Sequence, residues 1–289
     1  MPLTRILPPA RLHSVRQRFP RLVRPRAADS HKGSYGTVAV IGGSEGMSGA
    51  GVLAAVAALK GGAGKVWLGF AQEQLPMPYL PAHPEIMLAT AAALLQRQDA
   101  SVYTVGCGLG QNEARQSLLR AAVAKVAESS APLLLDADAL NLLAVTPQTL
   151  PANTILTPHP LEAARLLGCG TAEVQHNRRR AALALAERYG CHIVLKGHAS
   201  LVANPQGRIE ENDSGNPGLA TAGSGDVLSG LIAALLAQGL PPYEAAAAGV
   251  WLHGAAAELL AAQGCGPIGL TAGELPDAVR AVRNFVVAG

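Results

Sequence analysis

Aromatic residues are nearly missing from this chain: three Phe, two Trp and five Tyr among 289 residues. Since 49% of the residues are nonetheless apolar, the core has to be built from Ala, Val, Leu and Ile, a composition that suits parallel strands covered by Ala-rich helices. Cysteine is scarce too. Cys107, Cys169, Cys191 and Cys265 stand far apart without a Cys-x-x-Cys pair, which argues against a zinc site or a disulfide framework and for free thiols. No stretch reads as a secretory signal, and the apolar runs are amphipathic, short or broken by Gly, Pro and charge. A cytoplasmic protein without a membrane partner is the expectation.

Acidic residues are absent from the first 26 positions, which carry Arg5, Arg11, Arg16, Arg18, Arg21, Arg24 and Arg26. Subtracting these seven from the formal charge of +3 leaves about −4 for the rest, so the body is not a basic surface and no nucleic-acid partner is expected. An Arg-rich start without acids has the composition of an organelle-targeting presequence. Pro8, Pro9, Pro20 and Pro25 interrupt any long amphipathic helix, however, and favour an arm over residues 1–30 that packs on the body or on a neighbouring subunit. Residues 31–289 show no internal repeat and no low-complexity linker, and one domain is the better count.

Within that domain, Gly36 to Ile41 is a β-rich apolar run ending at Gly42-Gly43, and a small-residue helix from about Ser48 to Leu59 follows. The alternation recurs: strands over Lys65 to Gly69 and Ser101 to Val105, the latter ending in Gly106-Cys107-Gly108, then a polar-faced helix from about Glu113 to Ala127. Leu133 to Leu135 ends at Asp136, Thr154 to Leu156 at Thr157-Pro158, and His192 to Leu195 at Lys196-Gly197. Strands separated by helices of this length imply right-handed crossovers and a mostly parallel sheet. Glycines and polar residues gather at the strand ends, the edge where open α/β sheets bind ligands. Farther on, a hairpin (Leu201 to Ala203 and Arg208 to Glu210) leads into a glycine-rich loop, Gly215 to Gly225. Val227, Leu228, Leu231, Ile232, Leu235 and Leu236 then set a helix directly after it. Two more helices, about Tyr243 to Ala262 and Ala272 to Val287, complete the chain.

The glycine loop carries the most chemistry. Glycines permit close backbone approach, so successive N–H groups can surround an anion, and the positive end of the following helix falls at the same place. Gly223, Ser224 and Gly225 thus read as an anion hole for a phosphate undergoing transfer. Asp226 is badly suited to bind phosphate, because two anions repel. It reads either as a base taking the proton from a substrate hydroxyl as that oxygen attacks phosphorus, or as an acid that merely favours the helix N-terminus. A Walker Gly-Lys-Ser/Thr is absent, and the glycines of Gly42 to Ala50 do not give the Gly-x-Gly-x-x-Gly of a dinucleotide fingerprint.

Gly223-Ser224-Gly225-Asp226 resembles the Gly-x-Gly-Asp motif of ribokinase-like small-molecule kinases. The longer run through Leu228-Ser229-Gly230 is similar to one branch of that superfamily, the ADP- or ATP-dependent NAD(P)H-hydrate dehydratases. His31 to Gly36 with Ile41-Gly42-Gly43-Ser44, Leu135 to Asn141, and Thr157-Pro158-His159-Pro160 resemble the same family, so the likeness covers nearly the whole chain after the arm. It implies a ribokinase-like three-layer α/β/α fold, with residues 31–289 as the catalytic domain. It also implies that Ala50, Gly108, Gly110, His159 and Asp226 contact a hydrated nicotinamide, and that Lys196, Gly197, His198, Ala199, Ser200 and Gly225 contact a nucleotide. Two departures stand out: Cys107 replaces the proline of the family's Gly-Pro-Gly-Leu-Gly, and Leu161 stands where glycine is usual.

Blander roles compete at each position. The glycines and Ala50 serve tight packing, His159 caps a helix, and Lys196 is a solvated lysine. Asp136 and Asp138 hold water around Mg²⁺, or Asp138 caps the helix that follows. His13, His83, His176, His192 and His253 carry no constellation and read as structural or surface residues.

The reaction implied by the resemblance is ADP-dependent dehydration of NADHX or NADPHX, the hydrates of NADH and NADPH, releasing AMP and phosphate. Mg²⁺ as cofactor, ADP as co-substrate and a homotetramer come with it. So does a separate NAD(P)H-hydrate epimerase as functional partner, since about 30 residues before the first strand are too few for such a domain. Two other readings stay open: a hydroxymethylpyrimidine or hydroxyethylthiazole kinase, which leaves a stable phosphate ester, and a nucleotide-sensing module without turnover.

Overall fold

The computed structural model describes residues 2–288. One nine-stranded sheet runs through it in the order β3-β2-β1-β4-β5-β6-β7-β8-β9. The strands are Thr37–Gly42 (β1), Lys65–Phe70 (β2), Met87–Thr90 (β3), Val102–Val105 (β4), Leu133–Leu135 (β5), Thr154–Leu156 (β6), His192–Leu195 (β7), Leu201–Ala203 (β8) and Ile209–Glu211 (β9). From β3 across to β7 all neighbours pair parallel, whereas β8 and β9 form an antiparallel ribbon on the end. The helices are Pro2–Ile6 (α1), Pro9–Arg18 (α2), Ser48–Lys60 (α3), Ala91–Leu95 (α4), Glu113–Ser129 (α5), Asp138–Val145 (α6), Pro160–Leu167 (α7), Thr171–His176 (α8), Arg178–Tyr189 (α9), Ser224–Ala237 (α10), Pro242–Ala262 (α11) and Leu275–Ala288 (α12).

Strand side chains alternate between the two faces of a sheet, and this alternation divides the core. In β1, Val38 and Val40 enter one apolar layer with α3, α10, α11 and α12, while Ala39 and Ile41 enter the other with α4 to α9. The result is the three-layer α/β/α arrangement that the motifs implied. The short elements between Phe70 and Val102, and the helices α8 and α9, were not anticipated from the sequence. The helix α10 starts at Ser224, earlier than the apolar spacing suggested, so Gly225 and Asp226 lie inside its first turn.

Of the apolar runs, α11 is one broken by glycine and charge and not an amphipathic one. Every residue from Ala245 to Ala257 in it is buried, as expected of a helix that is apolar all round. By length and composition it could cross a membrane, but 83% of its apolar window lies inside the fold, which makes it the central core helix. The arm folds as α1 and α2, and its Leu7, Val15, Phe19 and Leu22 join the same core layer as α11.

Small residues let α3 and α10 touch backbone to backbone: a Cβ on Gly230 would collide with the Ala54 carbonyl. Gly230→Ala should therefore lower stability by about 1–3 kcal/mol through overpacking, read as a reduced urea midpoint. An unchanged midpoint would mean that the helices part freely there.

Candidate active site

The chain builds outward from β1 to β2 and β3, then returns to the other side of β1 for β4 to β7. Such a reversal opens a crevice at the carboxyl ends of the strands. The loops after β1 and β4 meet in it: the Gly43 N–H donates to the Cys107 carbonyl at 2.9 Å and the Ser44 N–H to the Gly108 carbonyl at 2.7 Å. Ala50, in the first turn of α3, comes close to Gly108, where a Cβ would lie 3.0 Å from its methyl. The Gly110 N–H donates to Asp138 at 2.8 Å, and the Gln111 amide to the same carboxylate at 2.6 Å. Asp138 thus anchors the loop after β4 and does not cap α6, whose N-cap makes no side-chain bond.

Beside the crevice lies a cavity of about 1000 Å³. Its walls carry His159, the loop Lys196 to Ser200 after β7, the segment Asn212 to Pro217, and Gly223 to Asp226. Among the positions singled out in the sequence, these cavity residues come together, while Ala50, Gly108 and Gly110 stay in the crevice between β1 and β4. Asp226 stands where the two meet: its carboxylate, the Cys107 thiol and Asp136 lie within 4.8 Å of one another. The positive φ of 84° at Gly223 turns the chain into α10, whose N-terminus then borders the cavity. A Cβ on Gly225 would sit only 3.3 Å from the Lys196 ammonium, so the missing side chain keeps this corner open.

Charge is concentrated on the cavity floor. Asp136, 1% exposed, accepts from Lys196 Nζ at 2.7 Å and from Ser229 Oγ at 2.7 Å. Burial pulls the Lys196 ammonium down, but Asp136 and Glu162 outweigh it and hold its pKa above the ordinary value. Burial, then the Asp136 charge, push the Asp226 carboxyl up to about 6, against a hydrogen bond from Cys107 and the pull of Lys196. Burial drives Glu162 up to about 7 and His253 down to about 4. An acid near 6 in the first turn of a helix bordering a cavity has the pKa a general base needs at neutral pH.

A family model for NAD(P)H-hydrate dehydratase matches residues 38–279. The chain belongs to the NAD(P)H-hydrate dehydratase family. It is 52% identical over 274 residues to the ADP-dependent (S)-NAD(P)H-hydrate dehydratase of Neisseria meningitidis serogroup B, covering 93% of this chain and 92% of that protein. The bifunctional NAD(P)H-hydrate repair enzyme of Escherichia coli K12 is 44% identical over 91% of this chain, which spans 50% of that enzyme's length. Among solved structures, the ADP/ATP-dependent NAD(P)H-hydrate dehydratase of Bacillus subtilis, co-crystallized with ATP/Mg²⁺, matches with a TM-score of 0.84 at 32% identity. It covers 95% of this chain and 97% of that one. The ribokinase-like fold expected from the motifs is thereby shown.

This dehydratase family member also places residues around the cavity that the sequence did not flag. His253, read as structural or surface, is buried on α11 and lines the cavity with Nε2 3.4 Å from Ser224 Oγ. A histidine in a helix of Ala, Gly and Leu has to find a polar partner, and that was the available signal. Glu162 forms a capping box with His159: it accepts the His159 N–H at 2.7 Å, and His159 Nδ1 accepts the N–H groups of Leu161 and Glu162. His159 therefore caps α7 and faces the cavity at once. Arg178, the first residue of α9, holds the loop after β7 through the carbonyls of Leu195, Lys196 and His198.

A direct Mg²⁺ cage does not fit these donors. Asp136 is committed to Lys196 and Ser229, Asp138 to Gly110 and Gln111, and Glu162 to the cap of α7. The sulfur of Cys107 beside Asp226 is a poor ligand for a cation that demands oxygen.

A carboxyl whose folded pKa is raised holds a proton that it loses on unfolding. Glu162 therefore contributes stability that is full below its ordinary 4.5 and lost as pH rises through about 7. The stability advantage of wild type over Glu162→Gln should shrink by up to about 3 kcal/mol across that window, followed by denaturant unfolding at several pH values. A constant difference would place the Glu162 carboxyl back in its ordinary range.

Proposed function

We propose that this chain uses ADP to dehydrate (S)-NAD(P)H-hydrate. Asp226 acts as base, Gly223, Ser224 and Gly225 as anion hole, and the loop Lys196 to Ser200 as nucleotide contact. The nicotinamide hydrate occupies the crevice at Ala50, Gly108 and Gly110, whereas His159, the remaining hydrate contact of this reading besides Asp226, lines the cavity. What carries this reading is Asp226, an acid raised to about 6 at the junction of the crevice and the cavity. The Asn216 amide nitrogen adds support: it is buried in a cavity-lining residue without a partner among the described residues, a donor that a ligand would satisfy.

The chemistry follows from the leaving group. Hydroxide leaves badly, because water has a pKa of about 15.7, whereas a phosphate, whose esters have a second pKa of about 6, is a far weaker base and leaves readily. Asp226 takes the proton of the ring hydroxyl, that oxygen bonds to the terminal phosphorus of ADP, and the bond to AMP breaks. Lys196 and the N-terminus of α10 offset the charge on the moving phosphoryl group. The ester then loses inorganic phosphate and a neighbouring ring proton, which restores the ring double bond.

In this reading Mg²⁺ belongs to the nucleotide phosphates and not to a protein cage. An epimerase as functional partner is supported by the bifunctional relative, half of whose length this chain spans. The homotetramer rests on the resemblance alone, and the cytoplasmic location on the reading of the sequence.

Supplied with Mg²⁺, ADP and hydrated NADH or NADPH, the purified protein should yield restored cofactor, AMP and phosphate in equal amounts. Activity with ATP alone would keep the reaction and change the nucleotide. A stable phosphate ester on a vitamin-precursor alcohol, with no cofactor restored, would make the protein an ordinary kinase. Asp226→Asn should keep ADP binding and lower turnover roughly 10²- to 10⁴-fold, and wild-type turnover should fall as pH drops through about 6. Near-wild-type turnover in that variant would remove Asp226 from the mechanism.

A further inference from the structure

The basic arm takes no part in the reaction described above, yet its contacts end at the nucleotide cavity. Arg11 of α2 donates to both oxygens of Glu258 on α11, at 2.6 and 3.2 Å. Glu258 Oε1 in turn accepts the Gly215 N–H at 2.9 Å. Gly215 lines the cavity and opens the glycine loop with a φ of 115°. A second tie runs from Arg18, at the end of α2, to Glu210 on β9 and, at 3.2 Å, to the cavity residue Asp213. Between the two ties Phe19 packs on Trp251, ring centroids 6.3 Å apart, and the Trp251 carbonyl accepts the hydroxyl of Ser214 at 2.8 Å. Three consecutive cavity residues, Asp213, Ser214 and Gly215, thus each hang from a group that the arm touches.

We propose that the arm is a positioning element for the nucleotide half of the site. Arg11, acting through Glu258, fixes Gly215 and the approach to the anion hole, and so sets affinity for the nucleoside diphosphate. This rests on the assignment of that cavity to ADP. The two-pronged Arg11–Glu258 pair fixes the plane of the carboxylate as well as its distance. Without Arg11, Glu258 is free to turn toward water and release the Gly215 N–H. A glycine has more backbone freedom than any other residue, and the freed loop would have to be ordered again each time a nucleotide binds. The penalty falls on binding, because the ties of Arg11 and Arg18 lead to the segment Asp213 to Gly215 and not to Asp226 or the crevice of the hydrate. Arg16 supplies the contrast: it holds the Val286 carbonyl near the end of α12, at 3.0 and 2.9 Å, a residue outside the cavity wall.

The test compares Arg11→Met, Arg11→Lys, Glu258→Gln and Arg16→Met with wild type. ADP binding is measured by calorimetry, KM for ADP and for the hydrate by steady-state kinetics, and Tm by calorimetry. Arg11→Met should raise Kd and KM for ADP about 5- to 10-fold, the weight of roughly one ordered hydrogen bond. Its kcat at saturation and its KM for the hydrate should stay as in wild type. Arg11→Lys should recover part of the loss, and Arg11→Met should add nothing in a Glu258→Gln background, since the two act as one unit. Arg16→Met should lower Tm while leaving ADP affinity intact. Unchanged ADP affinity in Arg11→Met, or an equal loss in Arg16→Met, would overturn the proposal and leave the arm a stabiliser of the fold. Should Arg11→Met fail to fold, Glu258→Gln decides by the same Kd criterion. A wild type that binds ATP and not ADP would sink the nucleotide assignment alone, and the same comparison with ATP would then judge the arm. Binding of neither nucleotide would overturn both.

Discussion

A carboxylate buried to 1% exposure needs partners, and Asp136 takes them from two other elements, Lys196 at the end of β7 and Ser229 on α10. Three segments far apart in sequence are pinned to one another at the carboxyl edge of the sheet by these two bonds. The same carboxylate acts beyond its contacts. Its charge adds to the burial that raises Asp226 and Glu162, and it helps hold the Lys196 ammonium above its ordinary pKa. Geometry and protonation at the site therefore share one source, and the cavity keeps a cation on its floor next to acids that ionise at higher pH than ordinary carboxyls do.

The topology divides the work. Glycine-rich loops after β1 and β4 meet at the reversal of strand order, the place where open α/β sheets form a crevice. The ends of β5, β6 and β7 and the start of α10 enclose the charged cavity. Asp226 belongs to both regions because α10 crosses behind β1 and β4, with its Gly230 against the Ala54 backbone of α3. The close packing of two small-residue helices is what brings a side chain from the last third of the chain to loops from the first. In place of the family's proline, Cys107 puts a thiol against that acid and contributes a hydrogen bond that lowers its pKa.

Most of the parallel sheet was legible from sequence, because each central strand is a short apolar run ending in glycine or a polar residue, and β5, β6, β7 and β8 fall where their runs predicted. The glycine loop was legible for the same reason, since Gly223 to Asp226 form a contiguous motif. What escaped depends on folding at a distance. Met87–Thr90 is a half-buried edge strand with no alternation to betray it. Neither Glu162 nor His253 belongs to the quoted motifs, and they become part of the site only through the packing of α7 and α11. Prolines rightly suggested that the arm holds no long helix. Nothing local could show that its arginines meet Glu210, Asp213, Glu244 and Glu258.

The antiparallel ribbon of β8 and β9 has a consequence that is a matter of parity. Each strand carries the chain from one edge of the sheet to the other. After β7 the chain stands at the carboxyl edge, β8 takes it away, and β9 brings it back, so that the segment from Asn212 reaches the cavity and α10 starts there. An even number of strands is thus required between Lys196 and the start of α10. A single strand inserted or deleted in the ribbon would deliver Gly223 and Asp226 to the opposite edge, some strand length from Lys196, whereas a whole hairpin added to it would leave the site where it is. The periphery of the sheet is free to grow, but only in steps of two.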